Sequence, residues 1–162
     1  ASMGGYAAIR AGLALCTRKR VACSDIFVLA FGPQIFLDDA ERQLLELSPM
    51  EFDVDLRKAQ QAWRSRSKLP GRERLPSAAD ALLLEATGKE EPSAAAALNI
   101  EVHVGAREAG DIREALLLRE AASRSTATRV SVEVHPRLGH ALVRDLRDRG
   151  ELDALLRRFL GG

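Results

Sequence analysis

A five-residue pattern occurs twice in the C-terminal half of this chain, and its spacing restricts what that half can become. Ile100-Glu101-Val102-His103-Val104 returns as Val132-Glu133-Val134-His135-Pro136, 32 residues later. Each copy alternates apolar and polar side chains, the period of a strand with one buried face. Between them, Ile112, Ala115, Leu116 and Ala122 mark the buried side of a helix ending near Arg124, and Asp111 with Glu114 predicts a capping box at its start. Leu138, Ala141, Leu142 and Leu146 predict a further helix, stopped by Gly150. Leu152, Leu155, Leu156 and Phe159 fall at amphipathic spacing and predict a last helix. Residues 99–162 thus read as a β-α-β-α-α unit. A strand covered on both faces reads as a continuous apolar run, and these two do not. Ile100, Val102, Val104 and Val130, Val132, Val134 are expected under helices. The face carrying Glu101, His103, Ser131, Glu133 and His135 is expected to be wet or to meet something else.

The first half reads as mainly helical over residues 3–88. Residues 5–18 mix small and large apolar groups and predict a helix. The apolar run Asp25–Phe31, ended by Gly32-Pro33, favours a buried strand over the end of a buried helix. Leu37, Ala40, Leu44 and Leu47 fall at helical spacing. Ser48-Pro49-Met50-Glu51 carries a capping-box start for a helix to about residue 67, with Phe52, Leu56, Ala59 and Trp63 as its stripe. Another short helix is predicted from Pro76 to near Gly88. Residues 89–98 read as a linker. The chain of 162 residues is long enough to bury a core without staples. The fold class is α/β or α+β, helix-rich, with a small sheet of two to four strands, helices mainly on one face, and one globular unit.

Bulk properties exclude several classes. A net charge of +1 gives no global nucleic-acid or membrane signature. No apolar run reaches the length of a spanning helix, and Tyr6–Leu15 is not followed by a signal-peptide cleavage site. Met3 is expected as the native start, after an Ala1-Ser2 remnant. Cys16 and Cys23 form no disulfide framework or metal knuckle and read as packing residues, so a reduced, cytoplasmic setting is expected. There is no P-loop, dinucleotide fingerprint or nucleophile elbow.

Three groups of residues could carry function. If the two echo strands are parallel neighbours, Glu101, His103, Glu133 and His135 share one patch. Imidazole and carboxylate together suit Zn²⁺ or acid–base work near neutral pH. Polar filling of an open sheet face explains the same letters without a site, so neither metal nor cofactor is expected from this pattern alone. The second group is the turn His135-Pro136-Arg137-Leu138-Gly139-His140, where Arg137 and His140 add positive charge at the end of a strand.

Ile100-Glu101-Val102-His103 and His135-Pro136-Arg137-Leu138-Gly139 stand where the Smr nuclease/RNA-binding family has Leu-Asp-Leu-His-Gly and His-Gly-Lys-Gly. The stretch 99–160 distantly resembles that family, which implies action on nucleic acid. Val104, Pro136 and Leu138 depart from its glycines.

The third group is a reversal of charge. Residues 38–55 hold seven acidic groups and one basic, and residues 57–74 hold seven basic and one acidic. Arg57, Lys58, Arg64, Arg66 and Lys68, with Trp63, could meet a phosphate backbone. They could equally form a polarised docking surface. The reading that needs fewest assumptions is a non-catalytic protein-interaction or assembly protein, with another protein or a second copy as partner. The alternative is a small metal-dependent or nucleic-acid-acting enzyme using the Glu/His face.

Overall fold

The computed structural model describes residues 2–16, 25–47 and 97–161. In chain order these form α1 (Ser2–Cys16), β1 (Asp25–Phe31), α2 (Asp39–Leu44), β2 (Ala97–Gly105), α3 (Ala109–Ala122), β3 (Thr128–His135), α4 (Leu142–Asp148) and α5 (Glu151–Gly161). The strands make one parallel sheet in the order β1-β2-β3. The fold is a small α/β fold with helices and strands mixed. The helices expected over residues 48–67 and 76–88, most of the linker, Trp63 and Cys23 lie outside the described residues. β2 begins at Ala97, two residues before the expected strand start.

The period of two sorts every strand residue onto one of two faces. Val28 and Ala30 of β1 and Leu98, Ile100, Val102 and Val104 of β2 are buried together with Ile9 and Leu13 of α1 and Ala115 and Leu118 of α3. Val102 and Val104 are fully buried, and removing each from water contributes roughly 1.5–3 kcal/mol. Gly12 allows α1 to lie this close: a Cβ there would stand 2.6 Å from the Val28 side chain. The two longest helices therefore share one face, as the alternation requires.

The opposite face is not left to water. Leu138, Leu142, Leu146 and Leu155 form a second buried cluster, and Leu29 and Phe31 of β1 pack against it. The short pair α4 and α5 thus seats over β1. That explains why the 25–31 run is apolar on both sides although β1 is an edge strand.

Three local expectations are corrected. The capping box of Asp111 and Glu114 does not form. α3 starts earlier, after Glu108, which makes no side-chain cap, so Glu114 falls one turn further in and points to the interior. Leu116 is 40% exposed, and Leu118 takes the buried position. α2 is shorter than the spacing of Leu37 to Leu47 suggests. Asp38 caps it by accepting from the Ala40 and Glu41 amides, and Leu44 is left exposed while Leu37 and Leu47 pack outside the helix.

Glu114 binds a whole segment. Its Oε2 accepts from the Ile35 amide (2.6 Å) and the Phe36 amide (3.3 Å), and its Oε1 accepts from Arg42 Nη1 at 2.7 Å. Arg42 also donates to the Phe36 carbonyl. Burial pushes the Glu114 carboxyl above its ordinary range, against the opposing pull of Arg42 and the two amides. No helix among the described residues is long and apolar enough to cross a membrane.

Candidate functional site

β2 and β3 are parallel neighbours, and their pairing aligns Glu101 with Ser131, His103 with Glu133, and Gly105 with His135. The two copies of the echo are therefore displaced by two residues in the sheet. That stagger, rather than alignment of like with like, places Glu133 beside His103 and lets His135 reach back to it. Phe31 is the β1 partner of His103 and stacks on its ring at 5.2 Å between centroids.

His103 is fully buried on the central strand. Its Nε2 lies 2.8 Å from Glu101 Oε1, and its Nδ1 lies 2.8 Å from His135 Nε2. A carboxylate only accepts, so Nε2 of His103 donates to Glu101. Burial lowers the His103 pKa below its usual value, outweighing the Glu101 hydrogen bond and the charges of Glu133 and Glu101 that would raise it. The ring is thus neutral near pH 7, and its Nδ1 presents a lone pair.

Glu133 completes the group. Its oxygens lie 3.8 Å from His103 Nδ1 and 3.9 Å from His135 Nε2. Burial alone would raise the Glu133 pKa, but the Arg158 hydrogen bond and the nearby imidazoles hold it below the ordinary carboxylate value. Arg158 Nη2 of α5 donates to Glu101 Oε1 (2.6 Å) and Glu133 Oε2 (3.1 Å). The C-terminal helix is what the polar face meets.

His103, Glu133 and His135 each offer one ligand atom within 4.8 Å of the others. Metal–ligand bonds of 2.0–2.1 Å at tetrahedral angles set ligand atoms roughly 3.3 Å apart. The two imidazole nitrogens are 2.8 Å apart, and Glu133 offers Oε2 at 3.8 Å from His103 Nδ1 and Oε1 at 3.9 Å from His135 Nε2, so one carboxylate oxygen must turn inward for all three residues to meet one ion. The donor set, two imidazoles and a carboxylate, suits Zn²⁺ or a similar ion. His103 already turns its second nitrogen to a carboxylate, the arrangement that fixes tautomer and orientation in metal-ligating histidines. Without an ion, Glu101, His103 and His135 form a hydrogen-bonded chain that can carry a proton.

The other candidates do not join this group. His140 pairs with Asp111 (Nδ1 to Oδ2, 3.0 Å) and is half exposed. Arg137 is exposed on the turn after β3, with a left-handed backbone (φ 65°). Arg57, Lys58, Arg64, Arg66 and Lys68 lie outside the described residues. Sequence reasoning missed Arg158 and Phe31. Phe31 carried a signal, because it shares the strand parity of a face that would be polar elsewhere. Arg158 carried none beyond its place beside Phe159.

Comparison with known protein families, curated proteins and solved structures gives no match to this chain.

Proposed function

We propose that this chain is a metal-dependent enzyme whose ion is held by His103 Nδ1, His135 Nε2 and one oxygen of Glu133. The observation that carries the proposal is the convergence of these three atoms with Glu101 behind His103. Three protein ligands leave a fourth position for water, the pattern of catalytic rather than structural zinc. A bound ion would lower the pKa of that water to about 7 and supply a nucleophile for hydrolysis.

The chain's own residues set the conditions. Phe31 and burial keep His103 neutral and free to ligate. Glu101 holds its proton on the distal nitrogen. Arg158 keeps Glu133 ionised and limits its rotation. Glu133 remains 45% exposed, so the group opens to solvent along the β3 edge.

The interaction reading has less support. Part of the acidic block that suggested it is engaged within the chain: Asp38 caps α2, and Glu46 pairs with Arg113 at 3.3 Å.

The test is the metal content of protein purified without chelator, followed by zinc titration of the stripped protein. One equivalent bound by the wild type and lost in the His103→Ala/His135→Ala double variant supports the proposal. A folded wild type that binds no transition metal above background removes it.

A further inference from the structure

We infer that a groove beside the Glu/His cluster takes a planar ring bearing an anionic group, phosphate or carboxylate. The pairing of the strands aligns Phe27, Asn99 and Arg129 in one row across the sheet. All three have the parity of the face that α5 approaches. With Ser131, Arg158 and Phe159 they line a groove of about 380 Å³, the size of a small-molecule site.

The lining has two ends of different chemistry. Phe27 is 62% exposed, and Phe159 lines the same groove from α5, so a flat ring finds aromatic surface there. At the other end is Arg129. Among the described residues it makes no ion pair, whereas Arg158 is committed to Glu101 and Glu133. Adjacent strands lie about 4.8 Å apart, so Phe27 and Arg129 stand roughly 10 Å apart at their backbones, with Asn99 midway. A ring with one anionic substituent spans that row. With Arg158 held between Glu101 and Glu133, the guanidinium of Arg129 is the charge the lining offers a ligand, which selects an anion. The Asn99 amide offers both a donor and an acceptor to ring substituents. The groove shares Glu101 and Arg158 with the Glu/His cluster, but none of the three proposed metal ligands lines it.

The experiment is an amide-shift NMR titration of the full chain with phenyl phosphate, benzoate, inorganic phosphate and phenol. Saturable shifts at Asn99 and Arg129 are expected with phenyl phosphate or benzoate, at least about 10-fold tighter than with phosphate or phenol alone. Arg129→Gln should weaken both anionic ring probes by about 10-fold and leave phenol unchanged. Phe27→Leu should weaken all three ring-bearing probes by about 5-fold and leave inorganic phosphate unchanged. His140→Ala, on the turn after β3 and outside the groove, should bind as the wild type does. No saturation by either anionic ring, equal affinity for bare phosphate, or indifference to Arg129→Gln each overturns the inference. Metal content is read separately, so failure here leaves the metal proposal standing, and absence of metal leaves this one.

Discussion

Glu101 supplies no proposed ligand atom, yet it orients a residue that does. Its Oε1 accepts from both His103 and Arg158. Glu101→Gln keeps the shape and an acceptor oxygen but removes the charge, so the His103 N–H is held by a weaker, neutral hydrogen bond. We expect metal affinity to fall about 10–100-fold, the range for such outer partners, measured by competition with a chromophoric chelator. Unchanged affinity would mean that burial and Phe31 alone orient the ring. Gly105 is a second case. A Cβ there would lie 2.5 Å from the Leu138 carbonyl oxygen and 2.6 Å from that of Gly139. Gly105→Ala should destabilise by about 1–3 kcal/mol, read from the urea midpoint. At this scale the sequence was partly legible. Alternation alone put Glu101, His103, Glu133 and His135 on one face. It could not supply the two-residue stagger, because register is set by ladder hydrogen bonds and packing and both copies alternate identically. Nor could it show Arg158, whose reach to Glu101 spans 57 residues of chain.

Elements were legible where one period dominates. The strands at 99–104 and 128–135 and the last helix follow from spacing and the strand at 25–31 from its apolar run, whereas α4 begins only at Leu142 and leaves Leu138 in the turn before it. α3 shows the limit. Asp111 and Glu114 have capping-box spacing, but α3 begins at Ala109, and a buried carboxylate with three donors outweighs a cap. Glu114 joins α3 to α2 and to the segment after β1. Glu114→Leu should therefore cost about 3–5 kcal/mol, chiefly because Arg42 is left as an unpaired buried charge. The double variant Arg42→Leu/Glu114→Leu should recover much of that loss, since it removes both charges together. Chemical denaturation of the wild type, both single variants and the double variant measures the coupling. Purely additive losses would show that the pair acts as two separate packing residues.

For the whole molecule, the decisive fact is that the polar face is roofed. Composition and alternation implied two layers with an open face. The last helices instead fold back over it, held by Leu155 against β1 and by Arg158 against β2 and β3. A histidine that would titrate freely on a wet face is thereby enclosed, and the fold acquires a pH dependence. His103 has its pKa lowered below the ordinary imidazole value of about 6.5. The unfolded chain thus takes up the proton first. The stability this group contributes is present above pH 6.5 and is lost as pH falls through its folded value. The groups facing it are Glu101, Glu133, His135 and Arg158. The two carboxylates oppose the shift, whereas burial and the His135 ring support it. Chelator-treated protein should therefore lose urea stability between pH 7 and pH 5, and His103→Phe, which keeps the stack on Phe31, should flatten that slope. The difference between the two curves reports the loss of the His103 imidazole. Parallel curves would mean that water reaches the ring and that α5 does not close the face in solution.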